Sequence, residues 1–369
     1  DGSLEADLAN LGTVSPALAA VGSLKVRTAF DARLAGDVAR LERLELTATD
    51  SAGRTLAEIN ALQPVSFDTR TQRVALANPN AQLARISVQS LPLAWAQSFV
   101  SPLLIDRGDL SLVLAVEAAA DGSRVAVRTI EPVTLRNVTV RDGETLLIDQ
   151  AMLVVSPRLD YSADAVDAEL AGLALTLPAG DKVEGSLTAR VTALSTAPAV
   201  TFTTRLGGRL ASAIRPYLPL DPGPLTFTTE AAGSLAGAEL QLSQLAFSAT
   251  REAGAPLIAF TLSQPVRANL ETQTITLAQP TAPAARMQLG EVPLAWAQTF
   301  VENSVLAGNL TGGTLDVSFR SLADLSVTTS APVTLRGVGA TLGGDELAKA
   351  LDVDVDLSAT LTNGLVTYD

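Results

Sequence analysis

Asp352, Asp354 and Asp356 occupy alternate positions of Leu351-Asp352-Val353-Asp354-Val355-Asp356-Leu357. Three carboxylates in so short a span are the chemistry of a hard cation such as calcium. Alternation, however, is the period of a strand, and same-face neighbours on a strand lie about 6.5–7 Å apart, too far for one ion without a turn. No glycine bends the segment. The expectation is a half-buried strand with the aspartates in water and Val353 and Val355 on the other face. Glu42, Glu45, Asp68 and Asp106 offer no pair at the separation a glycosidase needs. Gly207-Gly208 and Gly343-Gly344 lack the Lys-Ser/Thr of a phosphate loop and read as turns. Trp95 and Trp296 could stack a flat ligand, but both read first as packing plugs.

Chemistry that needs an imidazole or a thiol is closed to this chain. Its 369 residues include no histidine and no cysteine, which removes Ser-His-Asp triads, thiol nucleophiles, disulfides and thiolate zinc sites. A non-enzymatic protein is expected, with no cofactor and no metal centre. The formal net charge is −13, and a nucleic-acid partner would demand a basic stripe that is not there. Hydrophobic residues make up 47% and aromatics only 4%, so buried surface must be lined by Leu, Val and Ala. No apolar run approaches the ~18–20 residues of a membrane-spanning helix. The apolar content is spread over many short segments, which points to strands.

The two tryptophans reveal how those segments are organised. Leu91-Pro92-Leu93-Ala94-Trp95-Ala96-Gln97-Ser98-Phe99-Val100 returns as Val292-Pro293-Leu294-Ala295-Trp296-Ala297-Gln298-Thr299-Phe300-Val301. The spacing is 296 minus 95, or 201 residues. At the same offset Gln63-Pro64-Val65 meets Gln264-Pro265-Val266, and Leu34-Ala35-Gly36 meets Leu235-Ala236-Gly237. Further on the offset slips by one, so that Pro132-Val133-Thr134-Leu135-Arg136 meets Pro332-Val333-Thr334-Leu335-Arg336. This is a tandem duplication. Residues 1–9 read as a lead-in from a preceding part, 10–91 as one β unit, and 92–208 as a second that opens with a short helix over 92–100. Residues 209–291 repeat the first unit, and 292–369 repeat the second, truncated. Pro92, Trp95, Phe99, Pro293, Trp296 and Phe300 anchor the repeat, with Trp95 and Phe99 on one helical face.

Period-two alternation runs through both copies. Leu24, Val26 and Phe30 alternate with Lys25, Arg27 and Asp31, and Leu110, Leu112, Leu114 and Val116 form the clearest strand. The second copy offers Leu225 with Phe227, then Leu315, Val317 and Phe319. Looser helical spacing is seen over Leu8–Leu18 and Ala211–Tyr217. The fold class expected is all-β with a few short helices, an elongated and repetitive antiparallel sheet. One apolar face of such a sheet must curl, stack or bind something apolar.

Two stretches carry a family likeness. Pro293-Leu294-Ala295-Trp296 followed by Ala307-Gly308-Asn309-Leu310-Thr311-Gly312-Gly313-Thr314-Leu315 is one, and Pro216-Tyr217-Leu218-Pro219-Leu220-Asp221-Pro222-Gly223-Pro224-Leu225 is the other. Both resemble the AsmA-like proteins of Gram-negative envelopes, including the TamB and YdbH branches. The resemblance implies a sheet curled into a taco-like repeating β-groove for bridge-like lipid transport across the periplasm, between inner and outer membrane. It implies phospholipid or another acyl lipid as partner, envelope membrane proteins at the ends, and a longer, membrane-anchored parent. The groove lining would then be the alternating apolar residues named above, from Leu24 to Phe319, together with Val353 and Val355. The competing expectation is a structural β array, such as a surface-layer, stalk or adhesin segment, with a closed core and no lipid.

Overall fold

The computed structural model describes residues 1–9, 13, 23–79, 81–100, 102–121, 123–211, 223–251, 254, 256–296, 304–321, 324–362 and 365–368. Strands account for 76% of the chain and helix for 3%, and every strand pairing described below is antiparallel. Contacts divide the chain into two compact units, 1–178 with 190–194, and 179–189 with 195–369.

The first unit contains β1 (Gly2–Leu8), β2 (Leu24–Ala35), β3 (Val38–Asp50), β4 (Thr55–Ala61), β5 (Val65–Asp68), β6 (Arg73–Leu76) and β7 (Gln82–Pro92). After a 3₁₀ helix (Leu93–Phe99) come β8 (Leu104–Ala118), β9 (Arg124–Asp142), β10 (Thr145–Ser162) and β11 (Ala165–Thr176). Pairing runs β1-β2-β3-β4-β7-β8-β9-β10-β11. Strand β3 is long enough to hold β4 along Glu45–Thr49 and β5 along Val38–Leu41, so β5 and β6 form a side hairpin.

Strand β12 (Lys182–Thr192) contributes to both units. The second unit continues with β13 (Ala199–Leu210), β14 (Leu225–Ala236), β15 (Glu239–Arg251), β16 (Pro256–Leu262), β17 (Val266–Asn269) and β18 (Thr274–Leu277). It then adds β19 (Ala285–Leu289), β20 (Val292–Pro293), β21 (Ser304–Ser321), β22 (Asp324–Leu342), β23 (Asp345–Val355), β24 (Ser358–Thr362) and β25 (Leu365–Tyr368). The plan of the first unit recurs: β13-β14-β15-β16-β19-β21-β22, with β17 and β18 as the side hairpin.

A further change of length between the two copies lies inside a strand. Leu110 and Leu114 of β8 pair with Leu135 and Thr129. Leu310 and Leu315 of β21, one residue further apart, pair with Leu335 and Thr329. The extra residue falls in Thr311–Thr314, where the ladder shifts register around Gly312 and Gly313. Gly313 has φ +151°, and a Cβ there would come 3.0 Å from the Cα of Val333. A bulge absorbs an added residue and restores the faces beyond it.

Several local expectations are corrected. The Trp95 segment is a 3₁₀ helix. The side chain of Phe99, expected on the face of Trp95, lies outside the described residues. Gln97 staples this helix to β8, donating to Leu103 O at 2.6 Å and accepting from Ile105 N at 2.7 Å. Leu8 ends strand β1 instead of starting a helix; 10–12, 14–18 and 212–217 of the two helix-like stretches, and Phe300, lie outside the described residues. Gly207-Gly208 is not a turn but part of β13, because a Cβ on Gly208 would sit 2.0 Å from Lys182 O. Gly343 and Gly344 do make the turn between β22 and β23, with φ of +62° and +97°.

Candidate functional site

Residues in register across an antiparallel ladder point to the same face, so the pairings define what each face carries. In the first unit one rung reads Leu4–Thr28–Leu46–Ile59–Ile86–Leu114–Thr129. Its neighbour reads Ala6–Val26–Ala48–Ala57–Val88–Leu112. Towards β11 the same face continues as Val116–Val127–Leu159–Ala168 and Leu110–Leu135–Leu153–Leu175. Phe30 pairs with Leu44 on this face. Seven of the expected lining residues, Leu24, Val26, Phe30, Leu110, Leu112, Leu114 and Val116, are therefore brought onto one surface. Among the described residues in register along these rungs from β1 to β8, the one charged position is Asp50, opposite Leu24.

The opposite face carries the charges. One rung there is Ala29–Glu45–Asn60–Arg85–Ala115–Arg128–Arg158–Glu169. Asp160 receives Arg124 at 2.6 Å, Arg128 at 2.9 Å and Arg158 at 3.0 Å. The stems of these arginines cover small residues beneath them, and Ala115 and Ala126 are only 1% and 3% exposed. Burial in this part of the sheet thus sits under the ion pairs. The aliphatic face stays half-open: Leu112, Leu114 and Val116 are partly exposed, and Phe30 is 39% exposed. At its β2–β3–β5 end lies a hollow of about 470 Å³ lined by Ala32, Leu34, Ala39, Leu41, Val65 and Phe67 with the stems of Arg33 and Arg40.

The second unit repeats the first rung as Leu206–Thr229–Phe247–Phe260–Met287–Leu315–Thr329. Beside it run Gly208–Phe227–Ala249–Ile258–Leu289 and Ala285–Val317–Val327–Ala359. Phe319 pairs with Leu325, Val353 with Leu335, and Val355 with Val333. Here Leu225, Leu315 and Val317 are buried, so the equivalent face is better covered than in the first unit. Ile59, Ile86, Phe247, Phe260 and Met287 belong to the face without having been singled out from the sequence. Their alternation was visible, but only the register connects them.

One cation breaks the apolar rungs of β13–β21. Arg251 pairs with Leu225 at the end of β15, on the face of Ala249 and Phe247. Its guanidinium carbon lies 5.5 Å from the centroid of the Trp296 ring, and its Nε is buried with no hydrogen-bond partner. Trp296 is thus occupied by an arginine of its own chain.

The acidic candidates do not converge. Asp352 accepts from Gly337 N at 2.9 Å, Asp354 pairs with Arg336 at 3.0 Å, and Asp356 accepts from the Thr329 hydroxyl at 3.3 Å. Glu42 pairs with Arg40, Glu45 with Arg43, and Asp106 with Arg141. The Arg43 hydrogen bond holds the Glu45 carboxyl below its ordinary range. Asp68 caps Arg70 N and Thr71 N at 2.9 and 2.8 Å, and the bond from Thr71 N is the main reason its carboxyl is held low. Among the described residues no three His, Cys, Asp or Glu side chains are grouped to hold a metal. No described helix is long and apolar enough to cross a membrane. Comparison with known proteins returns no match: no family model, no curated protein and no solved structure is significantly similar to this chain.

Proposed function

We propose that this chain is a non-enzymatic lipid-handling segment of a Gram-negative cell envelope, acting in the periplasm and offering an apolar sheet face to lipid acyl chains. The observation that carries the reading is the pair of matching rungs, Leu4 to Thr129 and Leu206 to Thr329, which hold no charged residue. In the first unit this face is half-open while the charged face is the one that buries its small residues. Each acyl methylene moved from water onto such a surface gains about 0.8 kcal/mol, and aliphatic side chains without hydrogen-bond donors let a chain slide without fixed stops. This is also the role that the resemblance to the AsmA-like proteins implies. No nucleophile, acid or base is needed for it.

The test is native mass spectrometry after incubating the purified chain with phospholipid vesicles. Stoichiometric phospholipid is expected on the wild type, and less on Leu112→Asp. Leu112 is partly exposed, so that variant is expected to keep its fold. A wild type that stays free of lipid would overturn the reading and leave a structural β array in its place.

A further inference from the structure

Among the described residues, Arg251 is the one charged position on the apolar face of β13–β21, and it makes no ion pair with any of them. Its neighbours across the ladder and along the strand are Leu225 and Ala249, both buried. A charge held against apolar surface is costly unless it is paired. The Trp296 ring, whose centroid lies 5.5 Å from the guanidinium carbon, supplies part of the compensation. The Arg251 Nε–H is buried without a hydrogen-bond acceptor. The duplicate position in the first unit shows a contrasting, satisfied arrangement. Asp50 accepts from Ala52 N and Arg54 N at 2.9 Å each and pairs with the Arg54 guanidinium at 2.7 Å. Its charge is met within its own turn, whereas Arg251 has no such partner among the described residues.

We propose that Arg251, steadied on Trp296, anchors the oxyanion headgroup, phosphate or carboxylate, of an amphiphile whose alkyl chain lies along Phe227, Ile258 and Phe247, the partly exposed residues of the same face. The planar guanidinium fork matches two oxygens of such a headgroup, and the adjoining rungs are apolar. The proposal rests on the reading that this face takes acyl chains and adds to it a fixed end for the headgroup. Free phosphate shares the headgroup chemistry but not the tail, so the two are separable by experiment.

The measurement is a titration of the Trp95→Phe chain, in which Trp296 is the only indole, with decyl phosphate, 1-decanol and inorganic phosphate below micellar concentrations. Trp296 fluorescence and calorimetry are both read. Decyl phosphate is expected to bind at least about tenfold more tightly than decanol and to change Trp296 emission. Arg251→Gln should abolish that preference while decanol binding is unchanged, and Arg251→Lys, which keeps the charge but not the fork, should keep only part of it. A melt of each variant confirms that it is folded. A preference that survives in Arg251→Gln overturns the anchor while the acyl reading stands. Inorganic phosphate binding as tightly as decyl phosphate also overturns it, in favour of a small-anion site. If neither decyl compound binds the wild type, the anchor and the acyl reading fall together.

Discussion

Gln63 accepts the backbone N–H of Asn78 on its Oε1 at 2.8 Å, and its Nε2 donates to Ala81 O and Gln82 O, both at 3.3 Å. The same knot is tied in the second copy, where Gln264 accepts from Gln279 N at 2.8 Å and donates to Gln279 O, Ala282 O and Pro283 O. Each carboxamide holds the loop after a side hairpin against the turn that enters it. Gln63 is 6% exposed, so truncation leaves buried backbone groups without partners. Gln63→Ala is expected to cost about 1–3 kcal/mol in urea melts. Gln63→Glu, which removes the donor, should cost at least as much at neutral pH.

Glycines in strands and glycines in turns should answer differently to alanine. A Cβ at Gly208, inside β13, would sit 2.0 Å from Lys182 O. That backbone cannot yield without breaking its ladder, so Gly208→Ala is expected to lower stability by more than about 3 kcal/mol or prevent folding. Gly343→Ala meets no atom within 4 Å and is opposed only by φ +62°. A loss of about 1 kcal/mol is expected there, and thermal melts of the two variants make the comparison.

Val317 and Leu112 lie on corresponding apolar faces but differ in cover. Val317 is 8% exposed, and an aspartate there would be buried among Ala285 and Val327, its partners in register. Val317→Asp is expected to abolish cooperative unfolding, while Leu112→Asp should melt within about 1–2 kcal/mol of the wild type. Equal losses from both would show that the first unit's face is covered as well.

Asp316 pairs with Arg286 at 2.8 Å, and that hydrogen bond holds its carboxyl below the ordinary carboxylate range. The folded state therefore releases this proton at lower pH than the unfolded chain does. The stabilisation is fully present above about pH 4 and is lost as pH falls through the depressed value. Arg286→Gln should flatten the acid limb of a stability–pH curve measured from about pH 2 to 6. Arg85 occupies the equivalent place in the first copy but faces Ala115, so Arg85→Gln should leave that limb unchanged.

Much of this architecture is legible in the chain. The Pro-Leu-Ala-Trp stretches and the glutamine–proline pairs disclose the duplication, because residues with fixed backbone or large volume survive where Leu and Val interchange. Alternation at Leu110–Val116 discloses a strand, because only one of its faces meets polar surroundings. Register is less accessible. That Ile59, Ile86 and Leu114 share a rung follows from partners far apart in sequence and from bulges that local pattern does not encode. Gly207-Gly208 misleads for a related reason: the need for glycine comes from Lys182 O on another strand. Arg251 and Trp296 sit in different elements, and nothing in either neighbourhood announces their stacking.

The glycine pair in β21 bears on how such a molecule can change over time. A single inserted codon in a strand ordinarily turns every later side chain over, and at Val317 it would exchange aliphatic for acidic surface. Placed at Gly312-Gly313, the same insertion is taken up as a kink, and Leu315 still meets Thr329 as Leu114 meets Thr129. Copies of this repeat can therefore drift apart in length while continuing to present the same side to whatever they touch.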